Sequence, residues 1–240
     1  MEYINKIRLL GIFVFIIPVA AINLCLYLVI DIHIWCDFLS ELTNQPLCDK
    51  AIKGAIGPVF PYIDGGVSIS RTARVFPTYW IFKPAMFLTA YLLVLYWIYN
   101  FRLMNKIDDL IKLNKYFIFF GILSAIFLIL HSIFLGIKID IPIYKVFRRF
   151  IILSFIICEL VAQCILTTNL FKIKNKIEGK FSKLILKFKI FLVTTLTLVA
   201  LASIPFVTTS GHKVFKHVLE WNFFLAICFF YFLPERVSKL

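Results

Sequence analysis

The sequence predicts an all-α membrane protein: six transmembrane helices in one bundle, with an ordered outer loop between helices 1 and 2. Three observations carry that prediction. Of 240 residues, 61% are hydrophobic and only 16% charged, against roughly 45–50% and about 25% in soluble domains. Six stretches reach the length of about 20 apolar residues that a hydrocarbon core demands. Each is apolar around its whole circumference, with no face to turn toward water. The composition excludes a disordered chain and argues against a water-soluble globular domain. Barrel strands would alternate over about ten residues, and the sequence contains no such series.

The spans run at about Leu9–Ile30, Ile81–Tyr99, Tyr116–Gly136, Phe150–Leu170, Leu184–Phe206 and Val214–Leu233, within a single polytopic domain covering residues 1–240. The first reads as a retained helix, because its apolar run is longer than a signal h-region and no small-x-small site follows it. Pro18 within it leaves the carbonyl of Val14 without its helical donor, which predicts a kink. Connections are short except for the first outer loop, 31–78, a length that marks a functional or disordered segment. This loop holds four of the nine Gly and four of the nine Pro, with Trp35, Phe60 and Tyr62 among them. The mix predicts an ordered, turn-rich cap. Cys36 and Cys48 both fall in it, either bridged as a disulfide that staples the start of the cap or held as two buried thiols. Cys25, Cys158, Cys164 and Cys228 lie in spans and read as apolar packing.

The net charge of +13 would point to nucleic acid in a soluble protein. Here the cations are divided between the two ends of the spans, which excludes a nucleic-acid partner and leaves membrane lipids as the expected one. No soluble partner is evident. The stretch KIKNKIEGKFSKLILKFK before span five spaces Lys176, Lys180, Lys183 and Lys187 by four, three and four residues, on one helix face. Each such lysine contributes about 1 kcal/mol near an anionic lipid surface. Lys and Arg counted by loop favour cytoplasmic N- and C-termini, and the expected location is a bacterial inner membrane.

Ionisable groups inside spans are functional candidates by default. They are Lys83, His131, Glu159, His217 and Glu220. Four of them share one level beneath the cap, and Glu159 lies near the middle of span four. His217 and Glu220, three residues apart, share a helix face, so the carboxylate is placed to orient the imidazole. Trp221 beside them reads as a wall of the site. Two readings stay open: a polar pocket facing the outer leaflet, or interhelical hydrogen bonds that lock the bundle. Glu159 is expected to serve as structural glue paired with Gln163, and Lys83 to snorkel toward headgroups.

The most distinctive string is DGGVSISRTARVFPTYWIFKPAMF, Asp64–Phe87. Its Gly pair offers backbone amides and its arginines offer forked donors, a combination that suits a phosphate. Ser68, Ser70, Arg71, Arg74 and Lys83 are therefore the headgroup-binding candidates. The competing reading pairs the arginines with Asp64 or other loop carboxylates. The "SIS" string in a long first outer loop, the Pro and aromatic run before span two, His131 late in span three and the Glu220–Trp221 pair in span six resemble the DRAM-like family of six-span membrane proteins. The arginine-rich form SISRTAR departs from that family's pattern and looks closer to bacterial integral membrane proteins that share the string. The resemblance implies a lipid-related function without defining a reaction.

Three function classes follow. The first is a protein that binds or organises membrane lipid through an outer-leaflet polar pocket under the 31–78 loop. The second is a membrane-embedded lipid-modifying enzyme, with His131 or His217 as general base, Glu220 as its orienter and Arg71 as clamp. The third, and lesser, is a haem-binding redox protein or a transporter. No cofactor is assigned, and no metal, since no dense His pattern supplies the three or four ligands needed. The orientation predicts that alkaline phosphatase fused after Leu240 stays inactive in a bacterial host while a fluorescent protein fused there matures; phosphatase activity would reverse the topology.

Overall fold

The computed structural model describes residues 2–43, 56–107, 114–137, 142–173, 183–209 and 211–233. Its described elements are α1 (Glu2–Ile30), α2 (Ile32–Thr43), α3 (Ile69–Thr72), α4 (Tyr79–Ile107), α5 (Asn114–Phe134), α6 (Pro142–Lys172), α7 (Lys183–Thr208) and α8 (Lys213–Phe232). No strand occurs among the described residues. Six helices are long and apolar enough to cross a membrane: α1, α4, α5, α6, α7 and α8. All six coincide with the stretches read from the sequence.

Several helices overrun the apolar stretches. Arg148 and Arg149 lie within α6, and Arg102 and Lys106 within α4. A helix satisfies its own backbone wherever it goes, so it continues through the headgroup zone where charged side chains reach water. Pro18 sits inside α1 without ending it. Within 31–78, α2 and α3 flank residues 44–55, which lie outside the described set, and Cys48 is among them. Cys36 is buried and disulfide-bonded, whereas Cys25, Cys158, Cys164 and Cys228 are free.

Neighbouring spans pack in chain order around a ring: α1 on α4, α4 on α5, α5 on α6, α6 on α7, α7 on α8, and α8 back on α1. The short α3 lies across the ends of α1 and α8. That end, which carries the loop, is the cap end. At the opposite end α1 and α4 are tied by aromatic and cationic contacts. Tyr3 and Tyr99 have ring centroids 6.1 Å apart, Lys6 lies 5.7 Å from the Tyr99 ring and Lys106 lies 6.0 Å from Tyr3. Such amphipathic rings and cations suit a membrane interface.

At the middle of the ring stands Glu159, 1% exposed. It is the central residue of its span, Val146–Lys172, about 20 Å from either end at 1.5 Å per residue. Three donors close on its carboxylate. Ser124 Oγ of α5 donates to Oε2 at 2.6 Å, Gln163 Nε2 donates to Oε1 at 3.0 Å, and the Tyr231 hydroxyl of α8 donates to Oε1. Gln163 Nε2 also reaches the Ile227 carbonyl of α8 at 3.3 Å. Aromatic rings seal the network on the α4 side: Tyr231 packs edge-on against Tyr96 at 4.8 Å and Trp97 at 6.1 Å.

Small residues permit this closure. A Cβ on Gly121 would overlap the Trp97 indole, and one on Gly11 would press on the Tyr231 carbonyl. Small residues let membrane helices approach closely where no water drives association. By contrast, only 11% of the α7 window is buried, against 28–50% for the other spans. It is the outermost helix, held to α8 partly by Lys189, which is buried with Nζ 4.7 Å from the Phe230 ring centroid.

Glu159→Leu leaves the Tyr231 hydroxyl without an acceptor and throws Ser124 and Gln163 back on the Gly121 and Ile227 carbonyls, at about 1–3 kcal/mol for each buried group left unpaired. The expected result in detergent is a large fall in thermal midpoint, with Glu159→Gln retaining more than half of the lost stability; scanning fluorimetry reads both.

Candidate functional site at the cap end

The cap is assembled from short-range polar contacts and then clamped onto α8. Asp64 makes the turn: Oδ2 accepts the Phe60 amide at 2.6 Å and Oδ1 accepts the Gly66 amide at 2.9 Å. Gly65 has φ +60°, and a Cβ there would overlap the Val214 carbonyl, so both conformation and close approach to α8 require glycine. Ser68 caps α3, its Oγ accepting the Arg71 amide at 3.2 Å and lying 3.3 Å from Ser70 Oγ. Thr78 Oγ1 lies 2.5 Å from the Thr72 carbonyl and 2.6 Å from that of Val75, closing the turn that leads into α4.

Four α8 side chains grip this segment in sequence. His217 Nδ1 lies 2.7 Å from the Gly65 carbonyl. A carbonyl only accepts, so Nδ1 carries the proton. The Glu220 carboxyl faces the backbone amides of Ile69 and Ser70, donors at the start of α3 that have no helical partner. Trp221 Nε1 donates to the Val67 carbonyl at 2.9 Å, and Asn222 Nδ2 donates to that of Tyr62 at 2.8 Å. The Tyr62 ring meets Trp221 edge-on at 5.1 Å, and its hydroxyl donates to Asn23 of α1 at 3.1 Å. Burial pushes the Tyr62 phenol above its ordinary pKa, against the opposing hydrogen bond to Asn23. It therefore remains a neutral donor at physiological pH.

The "SIS" and Glu-Trp strings thus form one interface. His217 and Glu220 do share a helix face, and each is given to a different backbone group of the cap. The amides that suited a bound anion are occupied by the chain's own Asp64, Ser68 and Glu220. What remains open to a ligand is cationic.

Arg71 and Arg74 are exposed on the cap. Arg74 lies beside the turn after α5, where a Cβ on Gly136 would sit 3.8 Å from its own Cβ. Burial, then the positive charges of Arg148 and Arg71, lower the Arg74 pKa from its ordinary value. Arg148, at the start of α6, is half-buried, and its Nε is buried without a hydrogen-bond partner. Its charge also reaches His131. Lys83 Nζ reaches the Ile133 carbonyl at 3.5 Å, against the same end of α5. None of the three arginines makes an ion pair among the described residues. Nor do the described residues gather three or more His, Cys, Asp or Glu in a group able to hold a metal ion.

Arg148 is the member that sequence reading passed over. Its signal was present as the Arg148–Arg149 pair, which counted only toward orientation. Asn222 had no distinguishing signal. No protein-family model matches the chain, and no curated protein or solved structure is similar to it.

Replacing Trp221 with Phe keeps the packing and leaves the buried Val67 carbonyl unpaired, at about 1–3 kcal/mol. The cap then opens more often, and tryptic cleavage after Arg71 and Arg74 is expected to accelerate by roughly five-fold or more at a nearly unchanged global midpoint.

Proposed function

We propose that this integral membrane protein binds the anionic headgroup of a membrane lipid between Arg71, Arg74 and Arg148, where the cap meets α5 and α6. One observation carries the reading: three guanidinium groups share one surface without a carboxylate among the described residues to neutralise them. Like charges held together disfavour one another. A phosphate placed among them would relieve that repulsion and engage the forked donors, which match its geometry. The unpartnered Nε of Arg148 supplies one donor already stripped of solvent. Lys83, near the same end of α5, would extend the basic rim.

The role is binding rather than turnover. Among the catalytic candidates, Glu220 faces backbone amides of the cap, His131 has Arg148 as its charged neighbour, and His217 spends its Nδ1 proton on the Gly65 carbonyl, which leaves its Nε2 as the one free acceptor of the three. A general base needs a free acceptor within reach of the proton it takes. The DRAM-like resemblance, carried by the Ser68–Ser70 and Glu220–Trp221 strings, implies a lipid-related role of the same kind. In the proposed topology the cap lies outside and both termini are cytoplasmic.

The test is lipid co-purification. Wild type is expected to retain an acidic phospholipid through size exclusion in mild detergent. Arg71→Ala/Arg74→Ala/Arg148→Ala is expected to lose it by at least ten-fold, on the basis of about 1.5–3 kcal/mol per hydrogen bond to a charged group. An unchanged lipid complement in the folded triple variant would refute the proposal.

A further inference from the structure

A second feature lies far from the cap, between α6 and α7. A cavity of about 400 Å³ opens there, lined by Cys164, Thr167 and Thr168 from α6 and by Thr194 and Thr197 from α7, among apolar neighbours. In a helix a threonine ordinarily turns its hydroxyl back onto the carbonyl one turn earlier. Thr168 does so, donating to the Cys164 carbonyl at 2.8 Å, and Thr197 donates to that of Val193 at 2.8 Å. Thr167 does not. Its residue is 4% exposed, and Oγ1 is buried with no hydrogen-bond partner. That oxygen is closed off behind the cavity wall as it stands, and a turn about χ1 to the other rotamer open to a helical threonine brings it into the space, where an acceptor would end the cost of leaving it unpaired.

The position of the cavity limits what can enter. α7 is the least buried span, so the groove adjoins the bilayer rather than a sealed interior. Thr167 lies five residues from Lys172, about 7–8 Å along the helix, the depth of a glycerol ester below the headgroups. Lys172, Lys183 and Lys187 are exposed at that end of the same two helices. We propose that the α6–α7 groove is a lipid site for an anionic phospholipid of the leaflet opposite the cap. One acyl chain lies along the threonine-lined cavity, Thr167 turns about χ1 to donate from Oγ1 to an ester carbonyl, and the lysines meet the phosphate. This site is independent of the arginine cluster and belongs to the other face of the membrane.

Native mass spectrometry of the purified chain tests it, with dioleoylphosphatidylglycerol and dioleoylphosphatidylcholine supplied in turn. Wild type is expected to hold a phosphatidylglycerol adduct that survives Arg71→Ala/Arg74→Ala/Arg148→Ala, which separates this site from the cap. Thr194→Trp fills the groove and is expected to lower that adduct at least five-fold. Thr167→Val, nearly isosteric, is expected to lower it about three-fold. Lys183→Ala/Lys187→Ala is expected to abolish the preference over phosphatidylcholine. Retention of the adduct at wild-type occupancy in Thr167→Val, which leaves the fold undisturbed, would overturn the assignment. So would a Thr194→Trp chain that turns from dimer to monomer with its lipid adducts intact, because the groove would then belong to a second copy of the chain.

Discussion

The structure turns on one buried carboxylate. Lipid tails are as apolar as leucine, so nothing like the hydrophobic effect selects one helix arrangement over another inside a bilayer. Glu159 supplies the selection. A carboxylate about 20 Å from either end of its span is tolerated only when donors surround it, and here they come from α5, α6 and α8. Ser124 and Tyr231 can both reach it in only one rotational setting of their helices. Gly121 and Gly11 then let α4 and α1 close on the Trp97–Tyr231 side of that arrangement. The satisfaction is incomplete: Trp97 Nε1 and Gln163 Oε1 are buried without partners. The network thus provides specificity at some expense of stability, as buried polar groups do in other helical assemblies.

The central network and the cap are coupled through α8. Tyr231, at the C-terminal end of α8, fixes that helix to Glu159, while His217, Glu220, Trp221 and Asn222 project from its other half onto the cap backbone. A helix is stiff, so its register at Glu159 sets the positions of all four clamps. The clamps in turn hold α3 and the turn after it, and these carry Arg71 and Arg74 toward Arg148 on α6. The placement of the surface cations therefore depends on a hydrogen bond about two and a half to four turns farther along α8.

Some of this was legible in the sequence because its cause is local. The spans were readable because hydrocarbon thickness imposes a length and an apolar composition on each of them. Glu159 and Gln163 were readable as a pair because residues four apart meet on any helix. The shared face of His217 and Glu220 was readable for the same reason. What that face meets was not, since Gly65, Ile69 and Ser70 lie about 150 residues away in the chain and contribute backbone groups, which have no side-chain signature. Tyr231 and Ser124 were equally hidden: each is one unremarked residue in an apolar span until Glu159 is placed opposite. Arg148 was masked by a general rule, because span-end cations ordinarily report orientation and nothing more.

The two ends of the molecule use different cations, and the difference is chemical. The cap end presents arginines, whose rigid planar forks recognise an oxyanion by geometry as well as charge. The opposite end of α6 and α7 presents lysines, compact charges on flexible stems that attract an anionic surface without fixing its orientation. Orientation there must come from elsewhere, and Thr167 is suited to give it from within the groove, where α7 packs loosely enough to leave space. The tightly packed ring members hold the network that defines the fold. Its least buried member leaves a cavity, and a bundle that closed there as firmly as it does around Glu159 would have no room for a lipid chain.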